Sequence, residues 1–191
     1  MSEETATALH RRNLTLFASS QEMMRDLRRE LWAASDSEVV RYALRYLDQL
    51  LSDQAVGRNL FIERSNGERF VVSYLTLQKQ VGDDETIEKR NIKLNQAAVD
   101  GIEWMKNCVG VSSDSEIVRR AIRYLWLVLS ESKNGSEFVL TDGTDETHVR
   151  MDVLTASGAR NQRPRRNRNS SSQAEAHDRP DVPVSNAVVS L

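Results

Sequence analysis

The apolar positions of this chain change period as they run, and they do so twice in the same order. From Arg11 to Phe17 polar and apolar residues alternate, with Leu14 and Leu16 on one face and Asn13 and Thr15 on the other, as a half-buried strand requires. From about Ser20 the spacing turns helical, with Met24, Leu27 and Leu31 on one side. A break at Ala33 to Ser35 follows, and Ser35 with Glu38 makes the S-x-x-E pattern of a capping box at the start of a second helix. That helix carries Val39, Val40, Ala43, Leu44, Leu47 and Leu51, a stripe too broad for one helix to keep dry, so it needs a partner helix. Leu60 to Ile62 and Phe70 to Val72 then flank Ser65-Asn66-Gly67, and Asn-Gly between apolar runs predicts a hairpin.

Residues 11 to 51 align without a gap onto residues 89 to 129 at a constant offset of 78, with fourteen of the 41 paired positions identical. Arg12-Asn13-Leu14-Thr15-Leu16 returns as Arg90-Asn91-Ile92-Lys93-Leu94, and Ser35 to Arg41 returns as Ser113 to Arg119. The second copy therefore predicts a strand over Lys89 to Asn95, a helix bearing Ile102, Met105 and Val109, a break at Gly110 to Ser113, and a helix capped by Ser113 and Glu116. Its stripe is Ile117, Val118, Ala121, Ile122, Leu125 and Leu129. A hairpin follows, from Phe138-Val139-Leu140 through a turn near Asp142-Gly143 to Val149–Leu154. Two copies are too few for a solenoid but suit two half-folds that complete each other about a pseudo-two-fold axis.

The expected organisation is a flexible N-terminus over 1–10, a first unit with its hairpin over 11–73, a polar linker over 74–88, a second unit over 89–155 and a disordered tail over 156–191. Tyr74 to Leu77 offers an extension of the first hairpin, and whether the two hairpins enlarge the core or join one molecule to another stays open. The fold class is α+β, mainly helical. A strand and two helices cannot fold alone, but two such units can pair their strands as an antiparallel ribbon, with Leu14, Leu16, Ile92 and Leu94 facing the helices.

Composition narrows the function classes. No apolar run approaches the roughly 18 residues a membrane span needs, and Met1-Ser2-Glu3-Glu4 lacks the features of a signal peptide, so the expectation is a soluble, cytoplasmic protein with no membrane partner. The formal net charge is −2, yet six of the 26 basic residues stand against three acids beyond residue 155, leaving an acidic body. Such a body does not coat nucleic acid by bulk charge, so any nucleic-acid binding belongs to a local surface. The lone Cys108 excludes an internal disulfide and reads as a small buried hydrophobe. His10, His148 and His177 fall in a frayed end, a hairpin and the tail, and no paired-carboxylate, Cys-His or phosphate-loop motif accompanies them. Neither catalysis nor a metal or other cofactor is expected.

The solvent face of the ribbon carries Arg11, Asn13 and Thr15 from one copy and Lys89, Asn91 and Lys93 from the other. All six donate hydrogen bonds and none is acidic. A two-stranded ribbon enters the major groove, where Asn pairs bidentately with adenine, Arg or Lys with guanine, and Thr with either edge. In residues 11–51 and 89–129 the chain resembles the ribbon-helix-helix DNA-binding proteins, the family of the Arc and MetJ repressors. The resemblance implies a sequence-specific binder of double-stranded DNA, a transcriptional repressor first of all, associated with the nucleoid when bound, whose outward strand residues read bases. It also implies phosphate binding at the start of the second helix, here Ser35, Asp36, Ser37, Ser113, Asp114 and Ser115. Family members usually assemble from two identical chains, whereas here one chain supplies both halves with unlike strands. Asp36 and Asp114 would repel a phosphate unless turned away from it.

The same resemblance leaves a plasmid-partition or conjugation accessory role open, with self-association on adjacent half-sites. It also admits an antitoxin-like module whose C-terminal tail engages a protein through Val182, Val184, Val188, Val189 and Leu191. Arg160, Arg163, Arg165, Arg166 and Arg168 of the tail can add nonspecific attraction to DNA. Arg41, Arg45, Arg119 and Arg123 read as a solvated or interhelical face, and Tyr46, Tyr124, Trp32, Trp104 and Trp126 as core or interface anchors.

Overall fold

Each strand runs directly into a helix. In the computed structural model, which describes residues 9–77 and 87–149, β1 (Leu9–Phe17) precedes α1 (Ala18–Glu30) and α2 (Asp36–Ala55). The second copy repeats this as β4 (Ile87–Asn95), α3 (Gln96–Val109) and α4 (Asp114–Lys133). Between them lie β2 (Asn59–Glu63), β3 (Arg69–Val72) and a 3-10 turn at Leu75–Leu77, and β5 (Glu137–Thr141) with β6 (Glu146–Val149) closes the described chain. The architecture is α+β, with four helices and two small antiparallel sheets. The described residues all belong to one compact unit.

The alternation of β1 and β4 decides the packing. Leu14, Leu16, Ile92 and Leu94 are buried while their polar neighbours stay at the surface, and the two strands pair antiparallel with Asn13 directly opposite Asn91. Those two asparagines are equivalent positions of the repeat, so a pseudo-two-fold axis passes between them. The stripes of α2 and α4 make the most extensive helix contact, with Val39, Val40, Ala43, Leu47, Ile117, Val118, Ala121, Ile122 and Leu125 buried in one core. Each helix keeps dry because the other copy covers it.

The hairpins join each other within the chain. β2 pairs antiparallel with β5, giving a four-stranded sheet in the order β3-β2-β5-β6. Phe61 stands opposite Val139, again an offset of 78, so the symmetry relating the repeats extends through this second sheet. Leu60, Ile62, Val72 and Phe138 face inward and extend the core. Arg64, beyond β2, reaches across to Glu131 of α4, its Nε 3.2 Å from Oε2, while Ser136 donates to the same carboxylate at 2.7 Å.

The boundaries differ from the sequence reading where context overrides local polarity. Leu9 and His10 belong to β1 rather than a frayed end, because the partner strand pairs with them. The linker begins with a packed turn, Tyr74 and Leu77 being buried, and it gives way to β4 at Ile87. The return strand of the second hairpin begins at Glu146 rather than Val149, since only a short turn at Asp142-Gly143 separates it from β5. Residues 150–154 and the tail lie outside the described residues. Cys108 is exposed on α3, and Trp32 and Trp104 are exposed rather than anchoring. Tyr124 is buried, and Tyr46 and Trp126 pack against the core as expected.

Both first helices end in the same left-handed turn. Ala33 N–H donates to the Arg28 carbonyl at 3.0 Å, and Val111 N–H to the Lys106 carbonyl at 3.2 Å. Between them stand Trp32 with φ 52° and Gly110 with φ 69°. Glycine adopts this conformation freely, whereas an L side chain carries a cost of about 1–2 kcal/mol there. Trp32 is 81 % exposed and buys little packing in return. Trp32→Gly is therefore expected to raise stability by about 0.5–1 kcal/mol, after the backbone entropy of glycine is set against the relieved strain, read as a higher urea midpoint at unchanged slope.

The Arg64–Glu131 pair gives a pH dependence. Hydrogen bonding from Arg64 holds the Glu131 carboxyl below its ordinary value of 4.5, against the opposing effect of burial, with Ser136 helping. A carboxyl lowered on folding stabilises above its unfolded value, and that contribution is lost as pH falls through the folded value. Glu131→Gln should therefore flatten the fall in melting temperature below about pH 4.5, and an unchanged acid limb would count against this pair as a source of it.

Candidate nucleic-acid interface

The six outward residues of the ribbon meet as three cross-strand pairs. Arg11 lies opposite Lys93, Asn13 opposite Asn91, and Thr15 opposite Lys89. All are exposed except Thr15, which is half-buried. Asn91 Nδ2 donates to Asn13 Oδ1 at 3.1 Å, which orients the two central amides and leaves each with capacity for further hydrogen bonds. The same face continues to exposed Leu9 beside Asn95 at one end and exposed Ile87 beside Phe17 at the other. These apolar ends were missed in the sequence reading, although extending the alternation by two residues outward from Arg11 and Lys89 finds both.

The first turns of α2 and α4 are fastened to the ribbon's edges. Ser115 Oγ accepts from Thr15 N–H at 2.9 Å and Ser37 Oγ accepts from Lys93 N–H at 3.0 Å, each serine holding the strand of the other repeat. Arg119 adds a hydrogen bond from Nη1 to the Thr15 carbonyl at 2.8 Å and lies 4.5 Å from the Phe17 ring centre. Edge backbone groups that would otherwise recruit another strand are thereby occupied. Ser35 and Ser113 cap their helices, accepting from the N–H groups of Glu38 and Glu116 at 3.3 Å each. The two capping-box glutamates diverge: Glu38 reaches back to Ala34 N–H at 2.8 Å, whereas Glu116 turns to Arg120.

The serine hydroxyls thus have structural partners of their own, and, with the Glu38 and Glu116 amides already capped, an anion at these sites would meet the backbone amides of the first two positions of each helix. The two carboxylates are matched with cations. Asp36 lies 3.6 Å from Arg28 Nη1; Asp114 lies 3.6 Å from Arg12 Nη1 and 2.9 Å from Lys106 Nζ. Asp114 and Glu103 in turn raise the Lys106 amine above its ordinary value. Each helix start is therefore locally neutralised at its acid, with its amides beside the basic face of the ribbon.

Several other charged side chains are used elsewhere. Arg123 donates to the Leu77 carbonyl at 2.9 Å, and buried Arg120 stacks over Tyr74, 3.8 Å from the ring centre. His148 faces Glu137 at 3.0 Å on the second sheet. Among the described residues no cluster of His, Cys, Asp or Glu is arranged to hold a metal ion, and no helix is long and apolar enough to cross a membrane. Comparison of the chain with protein-family models, with curated proteins and with solved structures finds no match.

Proposed function

We propose that this chain is a single-chain ribbon-helix-helix pseudo-dimer that binds double-stranded DNA sequence-specifically and acts as a transcriptional repressor, without catalysis or a cofactor. The observation that carries this reading is the ribbon's solvent face, where Arg11, Asn13, Thr15, Lys89, Asn91 and Lys93 form three cross-strand pairs with no acid among them. Inserted in the major groove, the central asparagines read adenine edges, the three cations read guanine or neighbouring acceptors, and Thr15 takes either edge. The helix starts at Asp36 and Asp114 flank the ribbon and offer their amides to phosphates on the groove's two lips, with Ser35, Ser37, Ser113 and Ser115 holding that geometry.

Because the strands differ, the face is asymmetric about its axis. Arg11 with Lys93 lies on one side of the asparagine pair and Thr15 with Lys89 on the other. The preferred site is accordingly non-palindromic, unlike that of a homodimeric reader. The test is a pulldown from sheared genomic DNA at near-physiological salt, with sequencing, using the wild type and a variant carrying Asn13→Ala, Thr15→Ala, Asn91→Ala and Lys93→Ala. A short enriched motif with wild type alone supports the reading. Equal enrichment by both proteins, or none by either, rejects it.

A further inference from the structure

The repeat contains its own comparison for every groove, and one pair of grooves has diverged. Between α1 and α4 the lining side chains are large. Met23 and Trp126 pack against the core, Phe17 lies under the Arg119 guanidinium, and Arg123 is tied to the Leu77 carbonyl. At the equivalent positions between α2 and α3, Met23 becomes Gly101, Trp126 becomes Asp48 and Phe17 becomes Asn95, while both arginines are retained as Arg41 and Arg45. The three replacements are smaller side chains, and an open cavity of about 360 Å³ is lined by these residues. Its floor is apolar, with Leu44 and Met105 buried.

Among the described residues, Arg41, Arg45 and Asp48 form no ion pair with one another or with a neighbour, although the two arginines outnumber the one acid lining the cavity. We propose that this groove is a binding site for a small organic carboxylate with an apolar body, the carboxylate held by Arg41 and Arg45 and the body seated on Leu44, Ala98 and Met105 in the space opened by Gly101. A guanidinium pair matches the planar, bidentate geometry of a carboxylate, and an apolar pocket of this size with a few converging polar groups has the form of a small-molecule site. The proposal stands independently of DNA binding. Arg41 sits on the helix whose first turn holds Lys93, so the site is built against the proposed reading face.

The experiment titrates the full-length protein with phenylacetate, hexanoate and, as neutral control, phenylacetamide, following amide resonances by two-dimensional NMR. Binding with a Kd of about 1 mM or tighter is expected for a carboxylate of roughly ten heavy atoms, with the largest shifts at Ala97, Ala98 and Gly101. Gly101→Met, which restores the first repeat's side chain where a new Cβ would meet only Met105 Cε at 3.8 Å, should weaken binding at least tenfold. Arg45→Gln, at an exposed position that leaves the core intact, should bring carboxylate and amide to similar affinity. No shift with wild type, shifts centred on the groove between α1 and α4 instead, equal binding of carboxylate and amide by wild type, or undiminished binding by both variants would each overturn the proposal.

Discussion

A protein carrying Leu47→Ala together with Leu125→Ala is expected to be unfolded, or close to its midpoint, at 25 °C in plain buffer. The two leucines are equivalent positions of the repeat and both are wholly buried where α2 packs on α4. Truncating one buried leucine costs about 3 kcal/mol, part from lost transfer and part from the void that neighbours cannot close. Two such losses, about 6 kcal/mol if they add, reach the lower end of what holds a domain of this size together. Each single variant should fold with a lowered urea midpoint, and the coupling between them is obtained from the double-mutant cycle. A double variant that melts within a few degrees of wild type would show that the helix pair is not the centre of stability, contrary to the packing described above.

The second large effect concerns DNA. The variant with alanine at positions 13, 15, 91 and 93 should keep its thermal transition, since Asn13, Asn91 and Lys93 face water and Thr15 is only half-buried. On the motif recovered with wild type its affinity should fall by at least about 1,000-fold, because each well-placed base contact contributes about 1–3 kcal/mol of discrimination and up to four are removed. Binding to unrelated DNA should fall far less, with a salt dependence reduced by about one phosphate contact at most, as only one cation is deleted. Two outcomes contradict the assignment differently. A uniform loss on all sequences would make the ribbon a phosphate contact, and loss of the thermal transition would place these side chains on the inner face.

The candidate site and the pattern around it were legible to different depths. Leu14 and Leu16 declared the inner face of β1 because a strand alternates with period two, and the same rule placed Arg11, Asn13 and Thr15 outward without any knowledge of the partner strand. Apart from half-buried Leu129 and Val109, every residue of the helical stripes is buried, and the stripes omit Leu50, Val99 and Val128, which are buried too. By contrast, residue type alone makes anchors of Trp32 and Trp104, yet the turn after α1 carries Trp32 outward and Trp104 is partly exposed on α3. Cys108 was misplaced for the same reason, since type states a preference and only the helix's rotation states a position.

What the sequence by itself determined is local or periodic: two copies of one strand-helix-helix-hairpin unit, the buried face of each element, and the serine caps at Ser35 and Ser113. These follow from dihedral periodicity and capping chemistry, which depend on neighbours a few residues away. Only the tertiary structure decided that Ser37 and Ser115 grip the other repeat's strand, that β2 pairs with β5, that Arg64 reaches Glu131, and that a cavity opens between α2 and α3. Each of these contacts joins residues distant in sequence, and nothing in local pattern marks which polar group will be its partner once the two halves close around their shared core.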